Sequence, residues 1–323
     1  MSNVKIAFKF LDKGDPPPVG YKQIRCHIIF DIKMDLIRKA RFVAGGHMTD
    51  PPSSMTYASV VSRDSVRIAL LLAALNECDI LAGDIGNAYL NAYTSEKVYY
   101  RAGLEWGPLL KGCVLVIIRA LYGLKSSANA WRSHCCNTLR NMGFTYSYAD
   151  NDVWMKAETK PNGSKYYSYI LVYVDDILIV SHDPTKYMAQ LQDAYYVKPD
   201  SIKFPDLYLG AQVKKVMDRC GKPAFATSSN KYVQEAVVVI EQRMKDLNLA
   251  YTKVAKSAKN PFSNTKYRPE LDITEFCTEP LHQFYQQVIG IQRWMIEIGR
   301  IDISTEVSLL SRYLSQPRNE HLH

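Results

Sequence analysis

The chain has 323 residues, a formal net charge of +8, and 47% hydrophobic and 22% charged residues. This length suits about two domains of ~150 residues each, and the balance of residue types excludes a chain that is disordered throughout. The longest apolar run, Ile68–Leu75, is far shorter than the roughly 18 residues of a membrane helix. Met1–Lys5 does not lead into an apolar stretch like that of a signal peptide, so a secreted precursor is not expected. Membrane, secreted and fibrous proteins are thereby excluded as first interpretations, and the positive charge favours a polyanionic partner.

Apolar alternation, β-branched runs and turn residues predict strands in the first two thirds of the chain. The predicted strands are Lys22–Lys33, Val114–Ile118, Val153–Lys156 and Tyr166–Val174. A helical spacing of apolar residues, with capping residues at its ends, predicts helices in both parts of the chain. These helices begin near Ser62 and at Ser126 or Ser127, and span Asn230–Asn248, Leu281–Ile298 and Thr305–Leu314. The chain is therefore expected to mix α and β structure up to a domain boundary near residue 218 and to be mostly helical after it, with a polar loop over Lys253–Pro269.

The seven cysteines do not show the Cys-x2-Cys spacing of common zinc sites, and an odd number does not suit a fully paired disulfide framework. Reduced thiols in a cytosolic or nuclear protein are the expectation.

Two adjacent aspartates, Asp175 and Asp176, interrupt an apolar, β-branched stretch from Tyr169 to Val180. A buried strand cannot cheaply hold two unpaired carboxylates, so a hairpin with both aspartates at its turn is expected. Neighbouring negative charges raise each other's pKa unless a cation neutralises them, and Mg²⁺ or Mn²⁺ with oxygen ligands does so. The dipeptide by itself is also compatible with an exposed turn that has no chemical role.

A third aspartate, Asp84, ends an apolar segment far upstream, within Gly83-Asp84-Ile85-Gly86-Asn87-Ala88-Tyr89. Only the fold can bring it to the Asp175-Asp176 pair. Three carboxylates at strand ends would hold two metal ions roughly 3.5–4 Å apart, which is the arrangement used for phosphoryl transfer.

Tyr173-Val174-Asp175-Asp176 resembles the polymerase box of reverse transcriptases, and the segment Asp84–Tyr89 resembles their upstream aspartate box. Other segments are similar to the signature of copia-type (pseudovirus) LTR retrotransposons. These segments are Ala120–Ser127 with Trp131 after it, Lys39–Ala44 and Tyr208–Gly210. The resemblance covers the chain from about residue 20 onwards, and ordered motifs with compatible spacing are more specific than one motif alone.

The resemblance implies an α+β, right-hand polymerase fold. Its palm holds an antiparallel sheet like that of an RNA-recognition motif, fingers flank it, and the thumb is mostly helical. Fingers and palm are then residues 1–217 and the thumb is residues 218–323. The RNase H and integrase regions of the family's polyproteins are expected to be absent from this sequence.

The implied activity is that of an RNA-directed DNA polymerase, as the polymerase part of a retrotransposon polyprotein. It transfers nucleotides from dNTPs to a primer 3′-hydroxyl on an RNA or DNA template, by two-metal catalysis with Mg²⁺, or with Mn²⁺ in its place. The implied location is the cytoplasm, in a virus-like particle, or the nucleus, with no membrane partner.

The same resemblance assigns residue roles. Asp84, Asp175 and Asp176 are the implied catalytic and metal-binding residues. The implied nucleotide-binding residues are Lys39, Arg41, Ile85, Tyr89, Tyr122, Gly123 and Lys125, with Tyr89 at the position that screens the sugar 2′-hydroxyl. The implied primer and template residues are Tyr173, Tyr208, Leu209, Gly210, Gln286, Gly290 and Trp294.

Some of these residues also have a purely structural interpretation. Trp131 and Trp154 are expected in the core, and Tyr89 and Trp294 fit a core position as well as a functional one. Two other functions stay open. One is a catalytically silent, nucleic-acid-binding remnant of a retroelement, against which the intact carboxylate triad argues. The other is a metal-dependent phosphohydrolase, which needs a water-positioning group that the sequence does not identify.

Overall fold

The computed structural model describes residues 5–32, 38–52, 55–249 and 268–322. The chain divides into two compact units, Met1–Phe204 and Pro205–His323. This division precedes the boundary predicted near residue 218, and the assignment of palm, fingers and thumb stays a prediction. The predicted loop Lys253–Pro269 lies almost entirely outside the described residues.

Strands outnumber helices in the described part of the first unit. Its strands are β1 (Phe8–Phe10), β2 (Lys22–Gln23), β3 (Cys26–Ile32), β4 (Arg38–Ala44), β5 (Asp79–Asp84), β6 (Val98–Arg101), β7 (Val114–Ile117), β8 (Thr145–Tyr146), β9 (Val153–Thr159), β10 (Lys165–Tyr173) and β11 (Asp176–Ser181). Its helices are α1 (Arg63–Leu75), α2 (Ser127–Asn141) and α3 (Pro184–Ala194). The second unit contains β12 (Leu207–Tyr208), β13 (Ala211–Met217), β14 (Pro223–Ser228), α4 (Asn230–Asp246), α5 (Glu279–Glu297) and α6 (Ser304–Leu310).

A five-stranded antiparallel sheet in the order β5-β11-β10-β9-β8 positions the predicted carboxylates. Strand β11 pairs with β10 on one side and with β5 on the other. Its residues Ile177–Val180 are all buried, which explains a run that is apolar without alternation. Strand β11 therefore has both faces covered, and it begins beside the end of β5, where Asp176 pairs with Asp84.

Helix α1 begins where its sequence predicts. The hydroxyl of Ser62 accepts a hydrogen bond from the amide of Ser65 at 3.1 Å, which is the N-cap interaction. Helix α2 begins one residue after Ser126 and buries Trp131 in the core that the sheet shares with α3. Trp154 lies in the same core, so the expected core positions of both tryptophans are confirmed.

The predicted strand Lys22–Lys33 is wrong as a single element. The chain forms β2, which pairs in parallel with β6, and then β3, which pairs with β4 in a hairpin. The buried Ile24 lies between the two strands and donates its amide hydrogen bond to the carbonyl of Tyr99 at 2.9 Å. The uninterrupted apolar alternation does not reveal this change of partner, because it reports burial and not pairing.

The basic cluster around Lys39 and Arg41 is itself a strand, β4. The same part of the first unit contains a four-stranded sheet, β1-β7-β6-β2. Phe8, Phe42 and Trp106 pack edge to face there, with ring centroids between 5.3 and 5.9 Å apart.

In the second unit, β12, β13 and β14 form an antiparallel sheet, and the three predicted helices are present. Helix α5 begins at Glu279, ahead of the predicted Leu281, because Pro280 in the first turn is compatible with a helix start. Helix α6 ends at Leu310. No helix within the described ranges is both long enough and apolar enough to cross a membrane.

Candidate active site

The β10–β11 hairpin closes through Val174 and Asp175, and Tyr173 pairs with Asp176 across it. The predicted hairpin is thus present, with Asp176 already in the second strand. Val174 has φ of 57°, which is costly for a β-branched residue, so neighbouring contacts must hold it. The buried indole of Trp131 donates to the carbonyl of Val174 at 2.8 Å, and the amide of Ile85 donates to the carbonyl of Asp175 at 2.8 Å.

The fold brings the three predicted carboxylates to neighbouring strand ends. Asp84 is the last residue of β5, and it lies opposite Asp176 in the β5–β11 register. Asp175 occupies the turn next to them. The long separation in sequence is closed by a single antiparallel pairing of two strands.

The carboxylates are electrostatically unfavourable neighbours. Burial raises the pKa of Asp176 to about 6, and the negative charges of Asp175 and Asp84 act in the same direction. Burial also raises the pKa of Asp175, with a further increase from Asp84, while the charges of Lys198 and Lys39 oppose it. A cation bound here would therefore offset both the desolvation of the carboxylates and their mutual repulsion.

Lys198 and Ser201 hold Asp84 from the segment that follows α3. The ammonium group of Lys198 donates to Oδ2 of Asp84 at 2.5 Å, and the Lys198 amide donates to the Asp84 carbonyl at 3.0 Å. The Asp84 amide donates to Oγ of Ser201 at 2.8 Å. Sequence reasoning missed both residues, because neither belongs to a motif and both lie more than a hundred residues from Asp84.

The residues fit a hard divalent cation in their chemistry. All the donors are carboxylate oxygens, and Oδ1 of Asp84 is buried without a hydrogen-bond partner in the part of the chain that the structure describes. Within the same ranges, no group of three or more His, Cys, Asp or Glu side chains is gathered closely enough to hold a metal ion. The Mg²⁺ assignment therefore stays a prediction.

Two tyrosines lie beside the carboxylates. The rings of Tyr89 and Tyr122 are 4.8 Å apart between centroids and tilted by 49°. Burial raises the pKa of both hydroxyls, and the charge of Asp175 raises it further. Tyr89 is half-buried and also packs against the main core, so it combines the core and the site positions.

The two predicted phosphate-binding cations lie on β4. Arg41 makes an ion pair with Asp31 across the β3–β4 hairpin at 3.4 Å. Its positive charge lowers the pKa of Tyr122, although burial of that hydroxyl has the larger, opposite effect. Lys39 is exposed, and its charge acts on Asp175. Lys39 thus acts electrostatically on a carboxylate of the site, and Arg41 acts on the neighbouring Tyr122.

Gly123 makes the close contact between the end of β4 and the Tyr122 loop. Its φ is +93°, and a Cβ there would overlap the carbonyl oxygen of Ala44. The Ala44 amide donates to the Tyr122 carbonyl at 2.7 Å. Only glycine permits this approach of two backbones. The ammonium group of Lys125 donates to the carbonyl of Thr49 at 2.5 Å, so the segment after β4 is also bonded to the loop that carries Tyr122.

The remaining predicted residues, apart from Tyr173, lie in the second unit. Leu209 and Gly210 have φ of 47° and 85° and form the turn between β12 and β13, after the buried Tyr208. A Cβ on Gly210 would lie 3.1 Å from Nε1 of Trp294 on α5, so this turn packs against that indole.

Gln286 and Gly290 share one face of α5 with Trp294, because the three residues are spaced by four. Gln286 donates from its side chain to the carbonyl of Leu314 at 3.1 Å. Tyr173, in the first unit, ends β10 and is partly buried. In the second unit, the Gly210 turn packs against Trp294, while in the first unit Tyr89, Tyr122 and Lys39 act on or lie beside Asp175.

Comparison with known proteins matches residues 15–220 to a family described as reverse transcriptase (RNA-dependent DNA polymerase). The chain is 28% identical to a retrovirus-related Pol polyprotein from transposon RE1 of Arabidopsis thaliana, over 99% of this chain and 21% of that protein. It is 29% identical to a transposon Ty5-1 protein of Saccharomyces cerevisiae, over 74% of this chain and 71% of that protein.

A solved structure of a foamy viral protease-reverse transcriptase in complex with double-stranded DNA aligns with 89% of this chain and 39% of that chain, at 14% identity and a TM-score of 0.42. The chain spans about one fifth of the length of the Arabidopsis polyprotein.

Proposed function

Because the chain belongs to the reverse transcriptase (RNA-dependent DNA polymerase) family, we propose that it extends a primer by template-directed DNA synthesis. The template is RNA or DNA, the substrate is a dNTP, and the chain acts as the polymerase part of a retrotransposon Pol polyprotein. The observation that carries this proposal is that three carboxylates converge. Asp84 ends β5, Asp176 begins the paired strand β11, and Asp175 lies in the β10–β11 turn beside them.

The proposed architecture is a right hand. The five-stranded sheet with its helices is the palm, and the β3–β4 hairpin with the four-stranded sheet forms the fingers. Residues 218–323 are the thumb. Support for the palm assignment comes from the antiparallel strand order and from the placement of the aspartates at its edge.

Two Mg²⁺ ions bound by the three aspartates and by the carbonyl of Ile85 would lower the pKa of the primer 3′-hydroxyl and stabilise the pyrophosphate leaving group. Mn²⁺ offers the same oxygen-ligand chemistry. The aspartates act as ligands and not as bases, since a divalent cation would offset the burial and mutual repulsion that raise the pKa of Asp175 and Asp176.

The other residues bind and orient the reactants. Lys39 and Arg41 bind the triphosphate, whose charge complements theirs. Tyr89 and Tyr122 support the incoming sugar and base from below, and the Gly123 turn and Lys125 shape the loop that carries Tyr122. These roles are supported by the charge of Lys39 acting on Asp175 and by the charges of Asp175 and Arg41 acting on Tyr122.

The remaining proposed contacts are to primer and template. Tyr173 lies next to the catalytic turn, and the Tyr208–Gly210 turn is the primer grip. Gln286, Gly290 and Trp294 present one helix face to the duplex. The net charge of +8 supports binding of the phosphate backbone without reading of sequence.

Primer extension on a homopolymeric RNA template, with dNTP and Mg²⁺, tests the proposal. The wild-type chain should extend the primer, and Asp175→Asn should lose extension by at least about 100-fold because a charged ligand is removed. The matched control is Asp64→Asn, on the exposed start of α1, where Asp64 pairs with its neighbour Arg67 at 2.8 Å. It should extend like the wild type.

Equal extension by Asp175→Asn and the wild type would overturn the assignment. A folded wild type that binds template–primer but never extends it would favour the silent remnant of a retroelement. Melting curves of all variants establish that each one is folded.

A further inference from the structure

The segment after α3 is hydrogen-bonded along the edge of β5 that does not pair with β11. The amide of Gly86 donates to the carbonyl of Tyr196 at 2.8 Å, and the amide of Ala82 donates to the carbonyl of Lys203 at 2.9 Å. Between these two points, the amide of Lys198 donates to the carbonyl of Asp84. The backbone of Lys198 is therefore fixed beside the backbone of Asp84.

The Lys198 side chain reaches back to the carboxylate of the same residue. Its ammonium nitrogen lies 2.5 Å from Oδ2 of Asp84, while the two side chains are 49% and 28% exposed. Ser201 completes the arrangement, since its hydroxyl accepts from the Asp84 amide at 2.8 Å and donates to the Lys198 carbonyl at 2.6 Å. The positive charge also favours the ionised forms of Asp175 and Asp176. One ammonium group thus acts on all three carboxylates.

We propose that Lys198 is an internal cation that competes with divalent metal ions for Asp84, so that metal binding requires its ammonium group to leave Oδ2. The inference rests on the proposed function, because it takes the three aspartates as metal ligands. The physical reason is exclusion. An ammonium group in contact with a carboxylate oxygen and a divalent cation about 2.1 Å from that oxygen would repel each other strongly at that distance.

The departure of Lys198 is inexpensive. Its side chain is half exposed, and a flexible four-carbon stem lets the ammonium group move into water. The backbone bonds of the segment do not need to break. Lys198 therefore sets the metal concentration at which the aspartates bind metal. At lower metal concentrations its positive charge offsets the repulsion among the three carboxylates.

Titration of Mn²⁺ into the full chain, followed by electron paramagnetic resonance without nucleotide or template, tests the inference. An exposed ion pair is worth about 0.2–1 kcal/mol, so Lys198→Met should bind Mn²⁺ about 1.4- to fivefold more tightly than the wild type. Lys198→Gln is a second variant that keeps a polar side chain. The matched control is Lys203→Met, which removes an exposed positive charge from the same segment. Its affinity should equal that of the wild type.

Three results would overturn the inference in distinguishable ways. Equal Mn²⁺ affinity of Lys198→Met, Lys198→Gln and the wild type would overturn it and leave the proposed function standing, because metal still binds. The same gain in Lys203→Met would reduce the effect to net charge. An affinity that Asp84→Asn leaves unchanged would overturn the metal assignment itself, and with it the proposed function.

Discussion

Asp176 lowers the stability of the fold at neutral pH. Its folded-state pKa is raised to about 6 by burial and by its acidic neighbours, whereas an aspartate in an unfolded chain titrates near 3.9. Between these two values the folded chain binds more protons than the unfolded chain. Stability therefore falls as pH rises from about 4 to about 6, and the loss is complete above that range.

Replacing Asp176 with asparagine should remove this loss. At pH 7.5, Asp176→Asn should increase the free energy of unfolding by on the order of 1 kcal/mol, a value reduced for the partial exposure of the side chain. At pH 4 the difference from the wild type should disappear, because the carboxyl is largely protonated in the folded chain. Thermal melts at both pH values check this, with Asp64→Asn as the control; an equal shift at both would contradict the argument.

Tyr89 packs against the core and also lies beside the carboxylates. Its ring rests on Tyr122 beside the carboxylates and also on the core. A ribose bound over this ring would bury its 2′-hydroxyl without a partner, which costs about 1–3 kcal/mol.

Tyr89→Ala should therefore increase the use of ribonucleotides relative to deoxyribonucleotides by about 5- to 150-fold. The ratio of the two kcat/KM values measures the effect, and a melting curve separates it from simple destabilisation. Tyr93→Ala is the matched control, because Tyr93 is 67% exposed and its ring is covered by Arg119. A stable Tyr89→Ala chain with unchanged sugar discrimination would remove Tyr89 from the site.

The β10–β11 hairpin shows how one element depends on another. Val174 stays in its unfavourable conformation while Trp131 of α2 donates a hydrogen bond to its carbonyl and Ile85, the residue after β5, donates one to the carbonyl of Asp175. The core position of Trp131, in a helix predicted from the spacing of its apolar residues, was expected from the sequence. The role of its indole nitrogen was not, because a helical pattern shows which face is buried and not which polar atom the face meets.

Trp131→Phe keeps most of the packing and removes the hydrogen bond. Loss of the hydrogen bond to the partly buried Val174 carbonyl costs about 0.5–1.5 kcal/mol, so the turn should loosen and the kcat of extension should fall by up to about tenfold, with a small change in the KM for dNTP. Trp154→Phe is the matched control. Its indole nitrogen is buried in the same core without a hydrogen-bond partner among the described residues. Equal kcat losses in both variants would assign the effect to lost volume alone.

At the scale of the whole molecule, the charge of +8 is the property that bears on partners. If basic side chains neutralise template phosphates, binding releases counterions and the affinity depends on salt. Fluorescence anisotropy with a labelled template–primer should then show a linear fall of log affinity with log salt, of at least about tenfold between 50 and 200 mM. An affinity that does not change with salt would exclude a backbone-dominated interface.

The local sequence determined the features that depend on neighbouring residues. The Ser62 cap, the stripe of α2 and the Asp175-Asp176 motif are all contained within one turn or one repeat, where spacing and side-chain type decide the outcome. The motifs also sufficed for family membership, which the family match confirms.

Only the tertiary structure decided which distant residues meet. The Lys198–Asp84 ion pair and the Trp131–Val174 hydrogen bond join segments that no periodicity relates. The division of Lys22–Lys33 into β2 and β3 also depends on tertiary structure, because long-range packing decides which strand each one pairs with. Each of these contacts depends on sheet order and on side-chain reach, which arise only once the chain has folded.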